Sequence, residues 1–121
     1  MFNDLYKVIE KKENGYIVKL NKDNLIFKVH FEGSPVLPGA CMVEIARELI
    51  ELKINEKVKL SNIKKLRFAD VVVPTFNDEI LFSFDTKVIE NEIVEAKFLV
   101  SDSNAEKTFA KFTLIVEKKQ L

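Results

Sequence analysis

The residues best suited to chemistry lie in one short segment, between His30 and Glu44. His30 is the only histidine of the chain, and Glu44 follows it by fourteen positions. An imidazole exchanges protons near neutral pH and a carboxyl group can donate or accept one, so the two side chains are a candidate general acid/base pair. Four of the six glycines and prolines of the chain lie between them, which indicates a backbone with a defined, turned path. They are Gly33, Pro35, Pro38 and Gly39.

The carboxyl partner is predicted to lie on one long helix, from residue 38 or 39 to about residue 53. Apolar residues recur there with helical spacing. They are Met42, Ile45, Ala46, Leu49, Ile50 and Leu52. A second stripe of the same helix is charged and consists of Glu44, Arg47, Glu48 and Glu51. Proline is tolerated at a helix start, which suits Pro38, and Asn55 is predicted to end the helix.

The segments before this helix predict shorter elements. Leu5, Val8 and Ile9 have helical spacing, which favours a short helix within residues 1–12. Residues 13–15 have turn chemistry, and residues 16–20 alternate in the manner of a strand. Residues 26–29 predict a short strand that leads to His30.

The second half of the chain is predicted to consist of strands. One strand is expected around residues 63–68, with its exit at 71–73. Apolar and polar residues then alternate over 80–88, 94–100 and 110–116, which predicts a three-strand antiparallel meander. Its apolar face needs a cover, and the helix at 38–53 is the one long amphipathic segment that could supply it. We therefore predict a single α+β domain over residues 1–121, with one helix on a curled antiparallel sheet.

The composition excludes several classes of function. The chain has 121 residues and a formal net charge of zero, which argues against non-specific binding to nucleic acid or to an anionic membrane. One cysteine excludes an internal disulfide, and Cys41 is predicted to be a small core residue. No apolar run has the length of a signal peptide or of a membrane span. We expect a soluble, cytoplasmic protein without a metal or another cofactor.

The segment from residue 30 to residue 44 resembles the signature of the β-hydroxyacyl-acyl carrier protein dehydratases of fatty-acid synthesis. That signature is His-Phe-x-Gly-x-Pro-x-x-Pro-Gly, followed by Glu or Asp five positions after the last Gly. Seven residues match in register: His30, Phe31, Gly33, Pro35, Pro38, Gly39 and Glu44. A looser match covers residues 66–68 and 72–74.

The resemblance implies the hot-dog fold, in which a curled antiparallel sheet wraps one long central helix. It also implies a homodimer or a trimer of dimers, whose subunits pair edge to edge. In that family the histidine of one subunit meets the acidic residue of the other.

The resemblance further implies dehydration of a 3-hydroxyacyl thioester. His30 would remove the C2 proton, and Glu44 would protonate the departing hydroxyl group. The backbone N–H of Gly39, at the helix start, would stabilise the developing oxyanion. Phe31 is expected to contact the substrate. Glu48 stands where the family commonly has the Gln that holds the released water.

Neighbouring charges are expected to influence the protonation of the Glu44 carboxyl group. A carboxylate at Glu48, one helical turn away, would repel Glu44 and favour its protonated form. Arg47 would oppose this effect if it faces the same side of the helix.

An acyl thioester must be presented by a carrier protein or by coenzyme A. Lys64, Lys65 and Arg67 form the densest basic cluster near the matched strand, and they are candidates for contact with an acidic acyl carrier protein. The alternative is that they form a solvated sheet edge.

Two other functions remain open from the residues alone. A hot-dog acyl thioesterase activates water with a carboxylate and does not need His30. A non-catalytic acyl-binding partner subunit would need neither His30 nor Glu44, and the presence of both argues against it.

Departures from the family signature at Val29, Glu32 and residues 75–78 leave room for a specialised branch of the family, such as one that serves a polyketide or aryl-polyene pathway.

Overall fold

Six strands form one antiparallel sheet that is not closed, and one long helix packs against it. The computed structural model describes residues 4–29 and 35–119. In chain order the elements are β1 (Tyr6–Lys12), β2 (Gly15–Leu20), α1 (Ile26–Val29), α2 (Gly39–Ile54), β3 (Val58–Phe68), β4 (Glu79–Glu90), β5 (Ile93–Asp102) and β6 (Thr108–Lys118). The strand order is β1-β2-β4-β5-β6-β3, so β1 and β3 are the two edges. The predicted α+β architecture, one helix on an antiparallel sheet, is confirmed.

The core lies between α2 and the inward face of the meander. Every second residue is buried in the first half of β4 and along most of β5, as expected when one face of a sheet is covered, whereas most residues of β6 are buried on both faces. Phe84, Phe98 and Phe112 lie on three adjacent strands, and their rings stack with centroid distances of 4.4 and 5.3 Å. The α2 side of the core consists of Cys41, Met42, Val43, Ile45, Ala46, Leu49 and Ile50. Each fully buried aliphatic or aromatic side chain contributes about 1.5–3 kcal/mol of transfer free energy, so this contact holds the helix in place.

The ends of α2 agree with the prediction. Pro38 has an extended backbone before the first turn, and its carbonyl accepts hydrogen bonds from the N–H groups of Cys41 and Met42. Asn55 adopts the left-handed conformation, with φ 57°, in which Asn and Gly commonly end helices. The helix that carries Glu44 is therefore set by its local sequence at both ends.

Two elements differ from the prediction. Residues 6–12 form the edge strand β1, and the predicted helix is wrong. This segment pairs with β2 from Tyr6 opposite Leu20 to Lys12 opposite Gly15, which provides its backbone with partners that a helix would supply locally. Residues 26–29 form one helical turn where a strand was predicted. The Asn24 side chain accepts a hydrogen bond from the N–H of Ile26 at 2.9 Å, which caps that turn.

The strand expected around 63–68 is longer than predicted and starts at Val58. Residues 71–73 are not part of it. Val72 is nevertheless fully buried, and its carbonyl accepts a hydrogen bond from the N–H of Leu37 at 2.8 Å. This bond joins the chain after β3 to the loop before α2, and it brings the end of β3 to the start of the helix.

Candidate active site

The helix start is packed against the last residue of β3. A Cβ atom added to Gly39 would lie 2.5 Å from Cζ of Phe68, so only glycine allows the ring to lie this close. Phe68 is half exposed, at 48%. The first N–H groups of a helix have no acceptor within the helix, and the N-terminus carries partial positive charge. Gly39 is therefore at a position that can stabilise a developing oxyanion beside an aromatic ring.

Two residues of the predicted site, His30 and Phe31, lie outside the described residues. The structure thus describes the carboxyl member of the predicted acid/base pair and the residues around it.

The Glu44 carboxylate is bound by the guanidinium group of Arg47. Nε of Arg47 lies 3.0 and 3.1 Å from the two carboxylate oxygens, and Nη2 lies 2.5 Å from Oε1. The Glu44 side chain is 33% exposed and that of Arg47 is 17% exposed. Arg47 thus faces the same side of the helix as Glu44, which is the geometry in which it opposes repulsion from Glu48.

Arg47 is also held by two other groups. Its Nη1 lies 2.9 Å from Glu51 and donates to the carbonyl of Val58 at 2.9 Å. Hydrogen bonds to Glu44, the largest contribution, raise the pKa of the Arg47 guanidinium above its ordinary value. The side chain of Arg47 is therefore a permanent cation, and its acceptors are two carboxylates and one backbone carbonyl.

Glu48 lies one turn beyond Glu44 and has a different partner. The hydroxyl group of Tyr6, on β1, donates to Oε1 of Glu48 at 3.1 Å. Burial, followed by the charge of Glu48, raises the pKa of the Tyr6 hydroxyl well above its ordinary value. Glu48 therefore accepts a hydrogen bond from a neutral phenol on β1, the edge strand opposite β3 in the sheet.

A groove of about 610 Å³ runs between β1 and the side of α2 that carries Glu48. Tyr6, Val8, Glu51 and Leu52 are among its lining residues. It extends toward the C-terminal end of α2, away from Gly39.

Cys41 is buried near the helix start, at 6% exposure. Burial, with a smaller contribution from the charge of Glu44, raises the pKa of its thiol. This burial confirms the prediction that Cys41 is a small core residue. A buried neutral thiol is also a poor nucleophile.

The basic cluster is exposed on the edge strand β3. Lys64 pairs with Thr113 and Arg67 pairs with Lys111, so one extra residue is inserted between them. Lys65 lies in this bulge, with φ 53°. Arg67 directly precedes Phe68, which places the cluster on the strand that ends at the helix start.

Sequence reasoning did not assign three contacts of this site. The contacts of Arg47 with Glu44 and Glu51 could have been found from the spacing of these three residues on one stripe of the helix. The Tyr6 contact depends on β1, which was predicted to be a helix. The contact of Phe68 with Gly39 joins residues far apart in the chain and had no local signal.

The described residues contain no group of three or more acidic, histidine or cysteine side chains that could hold a metal ion. Among the same residues, no helix is long and apolar enough to cross a membrane.

Solved structures with the same fold support the predicted hot-dog architecture. The dehydratase heterocomplex ApeI:P from Xenorhabdus doucetiae matches with a TM-score of 0.65 at 14% identity, over 92% of this chain and 98% of that chain. A sigma28-regulated virulence protein from Campylobacter jejuni matches with a TM-score of 0.72 at 14% identity, over 100% and 88%. A thioesterase from Haemophilus influenzae matches with a TM-score of 0.68 at 12% identity, over 98% and 81%. Because identity is this low, these likenesses show the fold alone, and the hot-dog prediction is confirmed.

No curated protein matches the chain significantly. The family model of the ApeI dehydratase matches residues 7–113, which is most of the chain. The chain therefore belongs to the ApeI-like dehydratase family.

Proposed function

We propose that this protein dehydrates 3-hydroxyacyl thioesters to trans-2-enoyl thioesters, in fatty-acid synthesis or a related acyl-chain pathway. The observation that carries the proposal is the position of Glu44. It lies five residues after Gly39 on the central helix, with a side chain that is one-third exposed while Ile45 and Ala46 are in the core. A carboxyl group on a buried helix that still reaches solvent can meet a substrate hydroxyl group.

The proposed reaction needs three groups. His30 takes the proton from C2 as the C2–H bond breaks. The C3–O bond breaks, and Glu44 gives a proton to the departing hydroxyl group, which leaves as water. The backbone N–H of Gly39 stabilises the negative charge on the thioester oxygen. Because Glu44 lies in an ion pair with Arg47, it must take up its proton before it can act as the acid.

We propose that the active form is a homodimer, either alone or within a trimer of dimers. The edge strand β3 is exposed along nearly its whole length, and Leu60 and Leu66 on it are 38% and 46% exposed. An edge with free backbone groups and apolar side chains is suited to pairing with another strand. A structural neighbour is itself described as a dehydratase heterocomplex, which supports an assembly.

We propose that the substrate is presented by an acidic acyl carrier protein. Lys64, Lys65 and Arg67 lie on β3, which ends at the helix start, and their exposed charges are suited to an acidic partner. Coenzyme A is the alternative carrier, and a comparison of the two thioesters distinguishes them.

The test is incubation with 3-hydroxyacyl thioesters of several lengths and detection of enoyl products by mass. Hydration of short 2-enoyl thioesters measures the reverse reaction. Glu44→Gln and His30→Ala are each expected to abolish both reactions. Wild-type activity in either variant would overturn the assignment of roles.

A hot-dog acyl thioesterase is the second candidate. Glu44 is paired with Arg47 at 2.5–3.1 Å, and a carboxylate is the form that activates water. Release of free thiol from acyl thioesters, without any enoyl product and independent of His30, would favour this function.

A further inference from the structure

We propose that Arg47 is a positioning residue of this site, which holds the Glu44 carboxylate in one orientation and joins it to the first residue of β3. The proposal deepens the proposed function, because it rests on Glu44 as the group that exchanges a proton with substrate.

The first argument is the number of groups that fix the guanidinium. Nε and Nη2 contact Glu44, whereas Nη1 contacts both Glu51 and the Val58 carbonyl. A guanidinium is planar and its donors have fixed directions, so contacts on two sides define its orientation. The orientation of the Glu44 carboxylate follows from that of Arg47.

The second argument is that the far side of this network is attached to the buried backbone. Val58 is fully buried, and its N–H donates to Glu51 at 2.8 Å while its carbonyl accepts from Arg47 at 2.9 Å. Val58 also pairs with Lys118 of β6. Arg47 is therefore fixed relative to the sheet as well as to its own helix, which a simple pair of neighbouring helix residues would not achieve.

The third argument concerns charge. The stripe of α2 carries the carboxyl groups of Glu44, Glu48 and Glu51, and Arg47 contributes a positive charge to it. The neutral groups that face it are the Tyr6 hydroxyl from β1 and the Cys41 thiol from the helix start. Loss of the guanidinium would remove this positive charge, and the Glu44 carboxylate would lose the partner that fixes its orientation.

The test compares Arg47→Met with Arg47→Lys. The lysine variant keeps the charge but has one nitrogen, which cannot contact Glu44, Glu51 and Val58 in fixed directions. Lys53→Met is the matched control, because Lys53 is a cation of the same helix whose partners are Asp85 and the Phe84 carbonyl.

For the full-length protein in its native assembly, we expect kcat to fall roughly 10-fold or more in both Arg47 variants, with KM changed less than about 2-fold. Lys53→Met should retain the wild-type kcat and KM. Wild-type kcat in Arg47→Met would overturn the proposal, and equal losses in Lys53→Met would show a merely structural effect.

A second readout does not depend on activity. In ¹³C NMR of glutamate carboxyl groups, the Glu44 signal is assigned by its loss in Glu44→Gln. Its chemical shift should change in Arg47→Met, because the contacts of the carboxylate with the guanidinium are lost. If the wild-type protein turns over no hydroxyacyl or enoyl thioester, the proposed function fails, whereas an unchanged Glu44 signal refutes the role of Arg47. If Arg47→Met does not fold by circular dichroism, Arg47→Lys carries the test through kcat and the pattern of carboxyl shifts.

Discussion

Substitution of Gly39 by alanine should separate stability from activity. The added Cβ would lie 2.5 Å from Cζ of Phe68 and 3.0 and 3.1 Å from its Cε atoms. Ordinary carbon contacts are about 3.5–4.0 Å, so the tip of the ring must move by roughly 1 Å. Phe68 is 48% exposed, which means that solvent lies on one side of the ring and that it has room to turn.

The expected loss of stability is small. An off-rotamer aromatic side chain costs about 0.5–1.5 kcal/mol, and the better helix propensity of alanine offsets up to about 1 kcal/mol. The melting temperature should therefore fall by no more than about 6 °C. Activity should fall further, by roughly 10²-fold in kcat, because the methyl group and the displaced ring crowd the amide that we propose stabilises the oxyanion.

The assay is the initial rate of hydration of a short 2-enoyl thioester, with thermal unfolding measured on the same samples. A double variant, Gly39→Ala with Phe68→Ala, removes the clash. Compared with Phe68→Ala alone, it should show no loss of melting temperature, and its kcat should stay low. Gly15→Ala is the contrasting control. Its Cβ would meet the backbone of Phe82 and Ser83, so it should cost about 2–4 kcal/mol of folding free energy. Wild-type kcat in Gly39→Ala would refute the reasoning that the helix start contacts the reacting carbonyl.

Two further predictions concern pH dependence and the carrier. The raised pKa of Tyr6 means that its contribution to stability is fully present below the ordinary tyrosine pKa of about 10 and is lost as pH rises beyond it. Tyr6→Phe should lower the free energy of unfolding by about 1 kcal/mol at neutral pH, since the bond to Glu48 is lost, and should reduce the further fall above pH ~10 in urea titrations. A variant with Lys64→Glu and Lys65→Glu should raise KM for a carrier-protein thioester by roughly 10-fold and leave the coenzyme A thioester unaffected. Equal effects on both thioesters would contradict a contact with the carrier.

Much of the fold was readable from local patterns. The boundaries of α2 follow from Pro38, Asn55 and the apolar spacing between them, and strands β4 to β6 follow from strict alternation. These signals are strong because each element is long and buries one face, so a shift of one residue in strand register would expose all of its apolar side chains to solvent. The segments at 6–12 and 26–29 are short, and their few apolar residues fit both the spacing of a helix and that of a strand.

The candidate site divides in the same way. Gly39, Glu44 and Glu48 were singled out by motif register, and their positions on α2 agree with that prediction. The acid/base role of His30 with Glu44 stays a prediction, since His30 lies outside the described residues.

By itself the sequence determined which residues lie on the central helix and which of them could exchange a proton, because helical spacing and residue type are local properties. Only the tertiary structure decided what surrounds Glu44. Arg47 is held there by Val58 of the edge strand, Glu48 receives its hydrogen bond from Tyr6 of the opposite edge, and Phe68 covers Gly39. The Tyr6 and Phe68 contacts join residues that are distant in the chain, and Val58 is held in place by its pairing with β6, so the site forms only when the sheet has brought both of its edges to the same helix.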